Sequence, residues 1–179
     1  LRFTSPYPTD FTPRVIEAMA TTPAVCEHVH LPVQSGSNAT LKRMLRRYTR
    51  ERYLEVVGEL RAAIPTITFS TDIIVGFPGE REEDFAETLS IVEEAGFDDA
   101  YTFKYSVREG TPAEKIKDHV PDAVASERLD RLIATARAQT RRRNAGRVGE
   151  RHEVLVERPA KRGDLMLGRT RHNAMVLVD

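Results

Sequence analysis

The stretch Ser70–Glu80, STDIIVGFPGE, constrains the fold more than any other part of the chain. Ile73, Ile74 and Val75 form a continuous apolar run, as in a strand covered on both faces of a parallel sheet. Gly76, Pro78 and Gly79 then break it. Glu80–Asp84 is acidic and opens a helix, where carboxylates suit the positive end of the helix dipole. Strand, glycine-rich turn and helix in this order start a β–α unit. α/β folds place their ligands at that end of the strands. Taken alone, the glycines need do no more than make the turn.

The same alternation surrounds this stretch. Leu1–Thr4 reads as a short strand, and Thr12 caps a helix with Pro13 in its first position and Val15, Ile16 and Met19 on its apolar face. Val25–Val33 is a strand that ends in Gln34-Ser35-Gly36-Ser37, and Ser37 or Asn38 caps a helix over Ala39–Arg47. Thr49 caps the next helix, with Tyr53, Val57, Leu60 and Ile64 facing a core. The central strand covers Thr66–Val75. The helix after it buries Phe85, Leu89 and Val92 and stops at Gly96. Asp99–Ser106 is a further strand, followed by a polar turn at Val107–Thr111. Four strands with helical crossovers predict an α/β fold, half of a parallel β/α barrel with right-handed connections.

Pro121–Arg147 predicts one long helix with Val124, Leu129, Leu132, Ile133 and Ala136 inward. After Gly146 and Gly149 the period changes. His152–Glu157, Met166–Thr170 and Ala174–Val178 read as strands of a small separate β module, so the expected division is 1–147 and 148–179.

A chain of 179 residues suffices for one domain and part of a second. Lys+Arg and Asp+Glu are equal at 27 each, so net charge names no partner, but its distribution does. From Arg137 to Arg171 eleven bases face four acids, a net of +7, the footprint of a nucleic-acid contact or of a solvated helix face. The one cysteine, Cys26, fits a reducing compartment, and no apolar run approaches a membrane span, so a cytoplasmic protein is expected. The first residue is Leu1, and the expectation is a piece of a longer chain.

Read together, HLPVQSGS (His30–Ser37), LKRM (Leu41–Met44), YTRERYLE (Tyr48–Glu55), STDIIVGFPGE and YSVREGTPA (Tyr105–Ala113) resemble the methylthiotransferase family of radical S-adenosylmethionine enzymes in wording, order and spacing. LRFTSPYPTDF at the start and LMLGRTRHNAMVLV at the end resemble the branch that acts on tRNA. The resemblance implies the second half of a radical-SAM β/α (TIM-like) partial barrel, followed by an incomplete TRAM-type RNA-binding β-barrel. It implies transfer of a methylthio group to carbon 2 of N6-isopentenyladenosine at position 37, in the tRNA anticodon loop. The cofactors implied are S-adenosylmethionine and two 4Fe-4S clusters. The cluster-binding cysteines of the family, a CxxxCxxC loop among them, have no counterpart here, and Cys26 cannot replace six ligands. The chain alone is therefore expected to be inactive and to self-associate through open barrel edges. Family members with other substrates, threonylcarbamoyladenosine in tRNA or a ribosomal protein, are rival readings. So is a non-catalytic RNA-binding module.

The resemblance assigns a cofactor role to Gln34, Ser35, Ser37, Asp72, Ile74, Gly76, Tyr105, Ser106 and Val107. Gln34, Ser35 and Ser37 would serve ribose or methionine, or form a plain turn and cap. Ile74 and Gly76 would pack against adenine. Asp72 within an apolar strand needs a partner or a cavity. Lys104 and Arg108 would hold a carboxylate or phosphate, or pair at the surface. Many family members have proline where this chain has Glu109. The RNA candidates are Arg158, Lys161, Arg162, Arg169, Arg171 and Asn173, with Lys42, Arg43, Arg46, Arg47, Arg50 and Arg52 as a second basic group. His28 and His30 have the spacing of a metal pair, but with no third ligand they read as core or cavity-lining residues.

Overall fold

The computed structural model describes every residue except Arg162, so that RNA-contact candidate lies outside the described residues. The first body is a three-stranded parallel sheet in the order β1 (His28–His30), β2 (Thr68–Val75), β3 (Asp99–Lys104). Helix α1 (Pro13–Thr21) precedes β1. Helices α2 (Asn38–Arg43) and α3 (Arg50–Ala63) connect β1 to β2, and α4 (Glu82–Ala95) connects β2 to β3. The long α5 (Asp122–Ala145) then packs along β3 and α4.

Local chemistry sets these elements. Thr12 and Thr49 each accept a backbone N–H at the start of α1 and α3. Asp84 accepts the Arg81 N–H at 2.9 Å at the start of α4, and Gly96 ends that helix in the left-handed region at φ 58°. Ser37 occupies the position before α2 without capping it. Its hydroxyl donates instead to Asp84 Oδ1 at 2.6 Å and ties α2 to α4.

Several elements are shorter than expected. The Leu1–Thr4 segment forms one isolated bridge, Thr4 with His30, and its Leu1 carbonyl accepts the Cys26 N–H at 2.9 Å, before Ser5 turns at φ 55° ahead of Pro6. The sheet therefore has three strands, not four. Beyond His30, Pro32 has no N–H to give, and Gln34 at φ 68° meets Ile73 in one isolated bridge. Helix α2 stops at Arg43 rather than Arg47, since Leu45 is in the left-handed region at φ 57°. On α1 and α5, Val15 and Val124 are exposed. The buried stripe of α5 is Ala125, Arg128, Leu132, Ala136 and Gln139.

Strand β2 is covered on both faces only up to Thr71, with Thr68 and Ser70 buried on the face opposite the helices. Phe69, Thr71, Ile73 and Val75 are fully buried under the helices, while Asp72 and Ile74 on the other face are half-exposed. The register places Asp72 beside Tyr101 and Ile74 beside Phe103, and both aromatics are about half exposed (47% and 50%). The core therefore lies on the helix side, where Tyr53, Leu60, Phe69, Ile73, Phe85, Phe97 and Leu132 meet. Each contributes about 1.5–3 kcal/mol by burial. Gly36 joins this layer: a Cβ there would lie 2.2 Å from the Glu87 carbonyl oxygen of α4.

The second body is an antiparallel sheet of β4 (Val154–Pro159), β5 (Met166–Thr170) and β6 (Met175–Val178) in sequence order, with a bulge between Val156 and Arg158. Its β5–β6 turn rests on the N-terminal end of the parallel strands. Thr68 Oγ1 donates to the His172 carbonyl at 2.9 Å, and Arg171 donates to both Glu27 oxygens at 2.8 and 2.9 Å and to the carbonyls of Pro23 and Val25.

Candidate cofactor cavity

A cavity of about 620 Å³ opens at the C-terminal end of the parallel strands. Ile74, Phe77 and Phe103 form its apolar wall, and Gln34, Asp72, Tyr105 and Ser106 supply polar groups. Arg43, Arg46, Lys104 and Arg108 bring positive charge to the rim. Three buried polar atoms here have no partner: Arg43 Nη1, Arg46 Nε and the Tyr105 hydroxyl. Arg43 Nη1 lies 3.6 Å from Asp84 Oδ2, beyond hydrogen-bond reach. Unpartnered buried donors are costly, so their clustering at a concave surface marks a place for an acceptor.

The cavity is held by a clamp beneath the glycine turn. Gly76 turns at φ 74°, and its N–H donates to Glu80 Oε1 at 3.0 Å. Arg128 of α5 donates to the same oxygen at 2.9 Å and to the Glu80 carbonyl at 3.1 Å. Both side chains are buried, at 4% and 5% exposure, and burial raises the Glu80 carboxyl above its ordinary range against the pull of Gly76 and Arg128. Asp84 beside it lies below its usual range. There the Ser37 and Arg81 hydrogen bonds and the neighbouring guanidinium groups outweigh desolvation.

Of the residues assigned by resemblance to the cofactor, Gln34, Asp72, Ile74, Tyr105 and Ser106 share this cavity. Ser35 and Ser37 do not line it. They are buried behind the loop, where Ser35 bonds Thr88 at 3.1 Å and Ser37 bonds Asp84. The space beside Gly76 faces α5, where a Cβ would lie 2.6 Å from that of Ala125, so its close approach is to a helix. Val107 projects away and is 56% exposed. Lys104 on the rim donates to Asp122 at 2.6 Å and to Ser126 at 3.2 Å. Sequence reasoning missed Phe77, Phe103 and the Glu80–Arg128 clamp. The one available signal was an arginine on the apolar stripe of α5.

A sequence model of the radical SAM superfamily matches residues 3–92, half of the chain. The chain belongs to the radical SAM superfamily. The radical SAM fold is also seen by structural likeness. Coproporphyrinogen III oxidase from Escherichia coli, described as a radical SAM enzyme, superposes with a TM-score of 0.63 at 17% identity over 90% of this chain and 42% of its own. Three curated relatives share the name tRNA-2-methylthio-N(6)-dimethylallyladenosine synthase. The protein of Carboxydothermus hydrogenoformans is 50% identical over 99% of this chain, that of Mycobacteroides abscessus 49% over 98%, and that of Alkaliphilus oremlandii 49% over 98%. The chain spans 36–40% of the length of these relatives.

Radical SAM membership implies S-adenosylmethionine and a 4Fe-4S cluster. The cavity fits the first, with an apolar wall for a purine, polar groups for ribose and two guanidinium N–H donors without hydrogen-bond partners, Arg43 Nη1 and Arg46 Nε, for a carboxylate. The residues present do not fit a cluster. Cys26 is the one cysteine, and among the described residues no three His, Cys, Asp or Glu side chains converge as a metal site.

The RNA candidates divide as well. Arg171 spends its guanidinium on Glu27 and two backbone carbonyls, and Arg169 pairs with Asn173 at 2.9 Å and Glu157 at 3.4 Å. Arg158 and Lys161 are exposed. In the second basic group, Arg50 bonds the carbonyls of Gly36 and Glu87 and the Glu94 carboxylate, and Arg52 pairs with Glu55 and Glu59. Lys42 and Arg47 are exposed. No helix among the described residues is long and apolar enough to cross a membrane.

Proposed function

We propose that this chain belongs to a cytoplasmic tRNA methylthiotransferase that modifies carbon 2 of N6-isopentenyladenosine at position 37, and that its cavity holds the adenosine and carboxylate of S-adenosylmethionine. The shared name of relatives about half identical over nearly the whole chain supports the reaction. The unpartnered donors Arg43 Nη1, Arg46 Nε and Tyr105 Oη around an apolar wall carry the cavity assignment. Residues 1–147 form the parallel-sheet part of a catalytic β/α barrel, and 148–179 begin a TRAM-type module whose exposed Arg158 and Lys161 meet RNA phosphates. The 4Fe-4S clusters of the intact enzyme are held by residues outside these 179.

When bound, the cofactor supplies the methyl group and the hydrogen-abstracting chemistry. This chain's residues bind and orient it. Ile74, Phe77 and Phe103 exclude water from the purine, Asp72 and Gln34 reach the ribose hydroxyls, and Arg46 with Arg43 neutralises the carboxylate. The open face bearing Tyr101 and Phe103 is where the chain by itself associates.

Titration calorimetry of the intact protein with S-adenosylhomocysteine tests the reading. Arg46→Met is expected to weaken binding about tenfold, the worth of one charge-assisted hydrogen bond. Ile74→Trp, which fills the apolar wall, is expected to abolish it. Unchanged affinity in both variants would move the cofactor elsewhere.

A further inference from the structure

On the face of the parallel sheet opposite the helices, the strand registers set side chains in rows. His30 stands beside Ser70, Asp72 beside Tyr101 and Ile74 beside Phe103. Successive rows are two residues apart along a strand, about 6.6 Å. Ile74, Phe103 and Asp72 line the cofactor cavity. Tyr101 does not. It lines the cavity of about 520 Å³ beside the antiparallel sheet and a smaller one of about 310 Å³ that His28, Ser70 and Asn173 also line. Because Asp72 and Tyr101 are cross-strand neighbours, this smaller space adjoins the cofactor cavity.

The surroundings of Tyr101 suit a flat ligand. The side chain stands on the middle of a sheet face, yet it is 47% exposed. The His30 ring meets it nearly at right angles, with centroids 5.8 Å apart and planes at 69°, a favoured aromatic arrangement that holds the phenol in place. His30 is held in turn by Ser70 at 2.8 Å. A ring fixed from its neighbour's side and open on the other offers π surface to a planar group. The 310 Å³ beside it is at the lower end of the range for small-ligand pockets.

Position decides the occupant. In the reading above, Ile74 and Phe103 flank the purine of the cofactor and Asp72 reaches its ribose. A flat group on Tyr101 then lies one row from the ribose, toward the N-terminal end of the strands, where a second reactant can be held in contact with the first. The reaction proposed above acts on carbon 2 of a purine base. A base drawn out of an RNA stack needs a new surface in place of its lost neighbours. Tyr101 and Phe103 are the two large aromatics exposed on this face among the described residues, and Phe103 serves the cofactor.

We propose that Tyr101, braced by His30, is the stacking platform for the substrate adenine, one row from the cofactor's ribose. Tyr101 contacts the base, and His30 acts as a positioning residue. The subsite rests on the proposed reaction, which supplies the base.

The test compares two anticodon stem–loop RNAs binding to the intact protein in the presence of S-adenosylhomocysteine. One carries N6-isopentenyladenosine at position 37 and the other is abasic there. The wild type is expected to prefer the first about tenfold, within the range for one base stacked on an aromatic ring. Tyr101→Ala is expected to remove the preference, Tyr101→Phe to keep it, and both to bind S-adenosylhomocysteine as the wild type does. A preference that survives in Tyr101→Ala overturns the subsite. So does an equal loss of affinity for both RNAs, which would make the side chain structural. If the wild type binds S-adenosylhomocysteine and both RNAs but with no preference between them, the subsite fails and the cavity assignment stands. If it binds neither S-adenosylhomocysteine nor RNA, the proposed reaction fails and the subsite with it.

Discussion

Two cavities of similar size lie at opposite ends of the same parallel strands, about 620 Å³ at the C-terminal end and about 520 Å³ at the N-terminal end, where the antiparallel sheet docks. Their chemistry differs. At the N-terminal end Arg143 and Arg147 share Asp98, Arg169 is bonded to Asn173, and only two imidazole nitrogens, His28 Nδ1 and His172 Nδ1, are buried without partners. At the C-terminal end the unpartnered atoms belong to two guanidinium groups and a phenol. Volume does not separate a site from a seam. What separates them is the kind of buried group left without a hydrogen-bond partner, cationic and phenolic donors at one end and neutral ring nitrogens at the other.

The largest expected effect falls beneath the C-terminal cavity. Arg128→Ala leaves Glu80 buried without its cation and is expected to cost about 3–5 kcal/mol in denaturant unfolding. Restoring an apolar pair with Glu80→Leu and Arg128→Met should recover much of it. If Arg128→Ala proved neutral, the clamp would not hold the turn.

At the N-terminal seam the matching device is His28, whose pKa is lowered to about 4 by burial foremost and then by Arg2. The unfolded chain takes up this proton near pH ~6.5. Between those values the unfolded state binds more protons, so stability falls as pH falls and the loss is complete below the folded pKa. Denaturant midpoints from pH 7 to 4 should show about 3 kcal/mol of loss that His28→Gln removes. An equal slope in His28→Gln would assign the loss to carboxylates instead.

The smallest effect sharpens the contrast within the basic segment. In the intact protein, Arg158→Ala with Lys161→Ala is expected to lower the salt slope of tRNA binding by about two, one per phosphate contact. Arg171→Ala should leave that slope alone and lower the melting temperature, because Arg171 is bonded to Glu27 and to backbone carbonyls across the seam. A change in slope from Arg171 would put it at the RNA.

Much of the parallel body was legible because its signals are local. Thr12 and Thr49 cap, Gly96 terminates, and the α4 stripe buries Phe85 and Val92 as its spacing predicts. The misreadings are places where a distant partner decides. Ile73-Ile74-Val75 is uniformly apolar in sequence, but whether a second layer covers Ile74 is decided elsewhere in the fold. Ser37 follows capping grammar, yet its hydroxyl is taken by Asp84, 47 residues on. Arg169 and Arg171 add to a basic run in sequence, and the fold pairs them with Glu157 on the neighbouring strand and with Glu27 of the parallel body. In the cavity, Gln34, Asp72, Ile74, Tyr105 and Ser106 were named through the family resemblance, whereas Glu80 and Arg128 lie 48 residues apart with no pattern linking them.

The contact between Gly36 and the Glu87 carbonyl has a consequence for how such a protein can change over generations. Every side chain begins with a Cβ, and there is no room for one 2.2 Å from a helix backbone. No residue with a Cβ fits at that position while α4 stays where it is. Gln34 two residues before it therefore keeps its reach into the cavity even as the surface around it drifts. A lineage acquiring a new preference would do so by exchanging residues on the rim, such as Met44, Leu45 or Arg108, and not by remodelling this loop.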